Sequence, residues 1–168
     1  MRNLFDQYNQ PENKLTHSLV SCLYEDNQLL NSFLKSFCSN FFNQSSKLSI
    51  EQQTVPGEFH STDDENERKG LPDAVIFAEE QCLIIESKVS STLTKDQLMR
   101  HEKTVRRRGF NNIRGIGIVV DLLPNVRLDN WKQITWNQVY SWAYKETKKS
   151  FLKKLNIILA SYQIHVYK

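Results

Sequence analysis

Asp73, Glu86 and Lys88 are the residues of this chain whose types and spacing could carry chemistry. They lie in the stretch LPDAVIFAEEQCLIIESKV, residues 71–89, where two apolar runs carry charge at their outer ends. An apolar strand tolerates a charge only when that charge is compensated. Two carboxylates brought together repel, so a cation between them is their natural partner. Oxygen donors select a hard divalent ion, Mg²⁺ or Mn²⁺, over zinc, which prefers nitrogen and sulfur. Such an ion polarises a phosphoryl oxygen and lowers the pKa of bound water. An ammonium beside it orients that water or neutralises developing negative charge. That is the chemistry of phosphodiester hydrolysis. A cross-strand ion pair at the end of a sheet is the alternative reading of the same three residues.

The three must be brought together by a hairpin. Strands are expected over residues 73–78 and 82–89, with Glu79-Glu80 as the turn between Ala78 and Gln81. Paired positions in an antiparallel hairpin keep a constant sum, so pairing Ala78 with Gln81 places Asp73 directly opposite Glu86. Opposed residues share a face, with Cβ atoms roughly 4.5–5.5 Å apart. Lys88 is two residues beyond Glu86, hence on the same face and about 6–7 Å along. Glu-Glu is a poor two-residue turn, because such turns favour Asn-Gly. A longer symmetric loop would keep the pairing, whereas a bulge would break it.

The surrounding pattern supplies the remaining elements. Pro11 marks a helix start, and Leu15, Leu19 and Leu23 recur at helical spacing to about residue 25. Asp26-Asn27 allows a bend, after which Leu30, Phe33, Leu34, Phe37 and Phe41 continue a helical face. KLSIEQQTV reads as a strand ending at Pro56-Gly57, and HSTDDENERKG as a mobile polar loop. Thr94 and Gln97 form a T-x-x-Q capping box, with Leu93 and Leu98 as its staple. That helix is expected to reach about Arg107 and stop at Gly109. GIGIVVDLL reads as a strand apolar on both faces. TWNQVYSWAYKET and SFLKKLNIILASY read as closing helices, about 135–162. This order predicts an α/β fold: a mixed central sheet flanked by helices.

Composition narrows the class. With 168 residues and 39% hydrophobic content the chain reads as one domain able to bury its own core. The N-terminus has no apolar core of a signal peptide. No apolar run approaches the roughly 18 residues of a membrane span. The three cysteines, Cys22, Cys38 and Cys82, fall in apolar segments without a C-x-x-C, which predicts core filler in a reducing cytoplasm. Net charge is only +3, but it is unevenly spread. Residues 51–80 carry nine acids against Arg68 and Lys69, and residues 95–115 carry seven bases against Asp96 and Glu102. This asymmetry suits a protein that holds cations in one place and phosphates in another. Solvated helix faces would give the same numbers.

Pro72-Asp73 followed by Glu86-Ser87-Lys88 resembles the PD-(D/E)xK nuclease superfamily, with its restriction-endonuclease-like α-β-β-β-α-β core. The resemblance covers about residues 10–122. It implies that Asp73 and Glu86 bind the metal with the main-chain carbonyl of Ser87, and that Lys88 assists the attacking water. An acid on the first helix often joins that site, and Glu12 matches the role; a first-turn acid facing the helix dipole is the alternative. Gln97 resembles the glutamine of the RecB-like branch, although it also completes the capping box. That branch carries a tyrosine four residues later, where this chain has His101, otherwise a half-buried helix histidine.

Arg100, Lys103 and Arg107 fall on one side of the same helix, and with Arg106 and Arg108 they form a phosphate-binding stripe or a solvated basic face. Trp131, Trp136 and Trp142, at or near the closing helices, read as core rather than base-stacking platforms. His17, His60 and His165 show no ligand spacing. The expectation is a Mg²⁺- or Mn²⁺-dependent DNA nuclease of a bacterial or phage cytoplasm, acting in defence against foreign DNA or in DNA processing. It would act as a homodimer or as a module of a larger assembly. A non-catalytic binding module on the same fold is one alternative, and a nuclease acting on RNA or branched DNA is another.

Overall fold

The computed structural model describes residues 11–39, 41–43, 47–52 and 71–146, with side chains described from Lys14 onward. The expected loop over residues 60–70, the helix over 150–162, and His60 and His165 lie outside the described residues. Helix α1 spans Pro11–Glu25 and α2 spans Asn27–Phe37. The bend between them is an N-cap: Asp26 accepts from the backbone N–H groups of Gln28 and Leu29 and so starts a second helix. Strand β1 is Ser49–Gln52, β2 is Ala74–Ala78 and β3 is Gln81–Ser87. Helix α3 is Lys95–Arg107, β4 is Asn112–Val119, β5 is Trp131–Thr135 and α4 is Trp136–Glu146.

The five strands form one sheet in chain order, with β1–β2 and β2–β3 antiparallel and β3–β4 and β4–β5 parallel. This is the mixed α/β sheet expected from the pattern. Strand β5 was not foreseen: Trp131 lies on it and not on a closing helix, and α4 begins at Trp136. WKQIT is too short and too polar to separate by periodicity from the helix that follows. Its place beside β4 depends on Gly115, which pairs with Trp131. A Cβ at Gly115 would lie 2.2 Å from the Trp131 ring, so only glycine lets the indole cover that strand.

Each face of the sheet has its own apolar layer. Ala74, Ile76, Leu83, Ile85, Ile116 and Ile118 pack against Leu15, Leu19 and Leu23 of α1, Phe33 of α2, and Trp136, Val139 and Trp142 of α4. Val75, Cys82, Ile84 and Ile113 on the other face meet Val105 of α3 and Phe110. Trp136 and Trp142 are therefore core, as expected, and Trp131 is half-buried against the second layer. Burial pushes the Cys38 and Cys82 thiols up to about 12, so both behave as inert filler. Among the described residues no helix is long and apolar enough to cross a membrane.

Candidate active site

The hairpin has the expected register. Ala78 pairs with Gln81 and Ala74 with Ile85, so Asp73 and Glu86 are the next opposed positions. The Glu79-Glu80 turn is a tight two-residue turn in spite of its composition, with Glu79 in the left-handed region at φ 51°. Its partners hold it there: Asn111 and Asn112 N–H groups both donate to the Glu80 carbonyl at 3.2 Å.

Period-two alternation divides the end of β3 between the two sides of the sheet. Glu86 and Lys88 follow Cys82 and Ile84 on the α3 side, whereas Ser87 follows Leu83 and Ile85 on the α1 side. The contacts agree. Glu86 is 2% exposed, and both of its oxygens are engaged. Lys88 Nζ lies 2.9 Å from Oε1, and Gln97 Nε2 of α3 donates to that oxygen at 2.5 Å. His101 Nε2 is 3.1 Å from Oε2, which also accepts from the Asp73 N–H at 3.3 Å. On the other side, Ser87 donates twice to Asp73 Oδ2: its N–H at 2.8 Å and its hydroxyl at 3.1 Å.

Pro72 explains why Asp73 can take the Ser87 N–H. The Lys88 N–H bonds the Ile118 carbonyl on β4 at 2.8 Å. Backbone groups alternate in direction along a strand, so the N–H and C=O of Ser87 point the other way, toward Pro72 and Asp73. Pro72 occupies the position opposite Ser87 and has no N–H to give its carbonyl. The ladder ends there, and the Ser87 N–H goes to the Asp73 carboxylate instead.

The two carboxylates titrate in opposite directions. Burial first, and then the negative charge of Glu86, raise Asp73 to about 6; the Ser87 N–H, the Lys88 ammonium and the Ser87 hydroxyl only partly offset this. Burial would raise Glu86 as well, but contacts from His101 and Lys88 outweigh it and hold Glu86 below the ordinary carboxylate value. A cation beside Asp73 would relieve the repulsion that holds its pKa up. The oxygen donors at this sheet end fit such an ion. Among the described residues no group of three Asp, Glu, His or Cys side chains is placed to hold a metal ion. Two carboxylates and a main-chain carbonyl suit Mg²⁺ or Mn²⁺, which keep several waters of their own.

The expected site residues thus divide into three groups. Asp73, Glu86, Ser87, Lys88 and Gln97 come together. Of the two roles its spacing suggested, Gln97 takes the site: its side chain donates to Glu86 and does not turn back to the Thr94 N–H. Thr94 thus caps the helix by accepting the Gln97 backbone N–H at 3.3 Å, without the reciprocal half of a capping box. Glu12 belongs to the first turn of α1, but its side chain lies outside the described residues. Arg100, Lys103 and Arg107 are exposed on α3, opposite the buried Leu98, His101, Thr104 and Val105; Arg108 is the helix C-cap. Met99, Glu102, Lys103, Arg106 and Arg107 line a surface hollow, in which Arg106 is paired with Glu102 at 2.8 Å.

Two residues had been given no role. His101 is 1% exposed and joins Glu86; its signal was the four-residue step from Gln97, which puts both on one helix face. Thr16 is 2% exposed and is hydrogen-bonded to the Ser87 hydroxyl across 71 residues of sequence. Nothing local marks it.

The chain belongs to the PD-(D/E)XK nuclease superfamily, whose family model matches residues 2–163 and so extends well beyond the 10–122 core. Among solved structures the chain is similar to the small subunit of the heterodimeric restriction endonuclease R.BspD6I. That likeness has 11% identity, 89% of this chain and 88% of the other covered, and a TM-score of 0.42. No curated protein matches the sequence significantly.

Proposed function

We propose that this chain is a divalent-cation-dependent nuclease that hydrolyses DNA phosphodiester bonds. The observation that carries the reading is the convergence of Asp73 and Lys88 on the buried Glu86 at one sheet end in a member of a nuclease superfamily. Asp73, Glu86 and the Ser87 carbonyl would hold Mg²⁺ or Mn²⁺. Bound there, the ion would polarise the phosphoryl oxygen and lower the pKa of a water. The chain's own residues do the rest. Gln97 and His101 fix the plane of the Glu86 carboxylate from α3. Lys88, 14% exposed, reaches from that carboxylate toward solvent, where its ammonium orients the attacking water and offsets charge developing on the phosphate. Water adds to phosphorus, the bond to the departing sugar oxygen breaks, and that oxygen leaves with a proton.

Nicking of supercoiled plasmid in Mg²⁺ or Mn²⁺ tests the reading. Lys88→Met is expected to lower the rate on the order of 10²-fold or more while Mn²⁺ still binds by calorimetry. Cleavage by Lys88→Met at the wild-type rate would overturn the assignment. Binding of DNA without cleavage by the wild-type chain would favour a non-catalytic module, and a panel of RNA and branched DNA separates the remaining substrates.

Arg100, Lys103 and Arg107 are proposed to contact phosphates, because they share the exposed face of the helix that carries Gln97 and His101. Neutralising three phosphate contacts should flatten the plot of log affinity against log salt by about 0.9 per contact on duplex DNA. Charge reversal of the three is therefore expected to weaken DNA binding at low salt and to reduce that slope by roughly 2–3. An unchanged slope would leave them as solvated surface. The partners that follow are DNA and, for a single small domain, a second copy of the chain or a larger assembly. Cytoplasmic defence against foreign DNA or DNA processing is the setting that fits the family.

A further inference from the structure

We infer that Thr16 is a positioning residue: through Ser87 it fixes which oxygen of Asp73 faces the cation. The inference rests on the proposed metal site. A serine hydroxyl has one hydrogen, and that of Ser87 lies on Asp73 Oδ2 at 3.1 Å. We therefore read the bond between the two hydroxyls, in which either could donate by geometry alone, as Thr16 donating and Ser87 Oγ accepting. The direction is set along the chain from Thr16 to Ser87 to Asp73.

Both hydroxyls are buried, Thr16 at 2% and Ser87 at 0% exposure, so water does not replace either partner. A buried hydroxyl left without its partner is costly, which ties α1 to the end of β3. The Ser87 N–H and hydroxyl both converge on Oδ2, and among the described residues Oδ1 takes no hydrogen bond. The carboxylate is thus held by one oxygen and offers the other. Among the described side chains of helix α1, it is the Thr16 hydroxyl that reaches the site. Partners one step behind a ligand typically account for 10–100-fold in metal affinity or activity.

The test compares Thr16→Val with Thr16→Ser. Valine keeps the buried volume and removes the donor; serine keeps the donor. Mn²⁺ affinity by calorimetry is expected to fall about tenfold in Thr16→Val and to return in Thr16→Ser, with the KM for DNA unmoved. In a Ser87→Ala background Thr16→Val is expected to add nothing. Asp73→Asn is measured alongside. If Asp73→Asn weakens Mn²⁺ binding but Thr16→Val does not, the positioning role is wrong and the metal site stands. If Asp73→Asn leaves binding unchanged, the metal site fails and the role of Thr16 fails with it. Should Thr16→Val not fold, Thr16→Cys, a much weaker donor, takes its place with the same readings.

Discussion

Glu86→Gln is expected to abolish metal binding measurable by calorimetry and to lower metal-dependent cleavage by at least about 10²–10³-fold. The substitution keeps the volume of the side chain and removes one charge at the point where four groups converge. Lys88, Gln97, His101 and the Asp73 N–H all meet this carboxylate. An amide accepts at one end only, so its nitrogen must oppose at least one of those donors. Removing one partner of a buried ion pair costs about 3–5 kcal/mol. In a chain of 168 residues that corresponds to a fall in Tm of roughly 6–20 °C. Relief of repulsion on Asp73 offsets part of it. Glu86→Asp serves if the glutamine variant does not fold; it keeps the charge, retracts the oxygens, and is expected to lose cleavage with a smaller loss of Tm. Cleavage by both variants at the wild-type rate would falsify the role of Glu86.

The second large effect is on pH. Asp73 is raised from its ordinary value of 3.8 to about 6. Its folded value lies above its unfolded one, so in metal-free protein its contribution to stability is fully present below about pH 4 and is lost as pH rises through about 6. Glu86, held low, acts in the opposite sense: its contribution is present above the ordinary carboxylate value and lost as pH falls through its folded pKa. In the proposed site the metal would need the Asp73 carboxylate, so protons would compete with it below about pH 6. Mn²⁺ affinity is expected to be level from pH 7 to 8 and to weaken about tenfold per pH unit below 6. Calorimetry at pH 5, 6, 7 and 8 reads this directly, and buffers of different ionisation enthalpy count the proton released. In metal-free protein at pH 7, Asp73→Asn is expected to leave Tm unchanged or raised, the reverse of Glu86→Gln. Affinity that stays level between pH 5 and 7 would separate Asp73 from the metal.

The two aspects of the site were unequally legible in the sequence. The hairpin could be read because strand pairing follows arithmetic: once Ala78 meets Gln81, the facing of Asp73 and Glu86 is settled. Helix α3 announced itself at both ends, with Thr94 as its cap and Gly109 at φ 92° beyond its last turn. Gln97 could be read as cap or as site residue, because the T-x-x-Q spacing fits both, and its side chain goes to Glu86. Thr16 was hidden by its neighbours, being one hydroxyl among the leucines of α1 with a partner 71 residues away. Strand β5 was missed because a half-exposed edge strand of five residues has neither the alternation nor the apolar content that marks β2 and β3.

The hairpin also constrains how this gene can change. Asp73 and Glu86 are 13 positions apart, joined by two strands and a turn with no slack. Substitutions within the segment alter packing by degrees. One codon gained or lost between the two acids would send one carboxylate to the opposite side of the sheet. In this stretch the number of residues between the two acids holds the proposed site together as surely as the acids themselves.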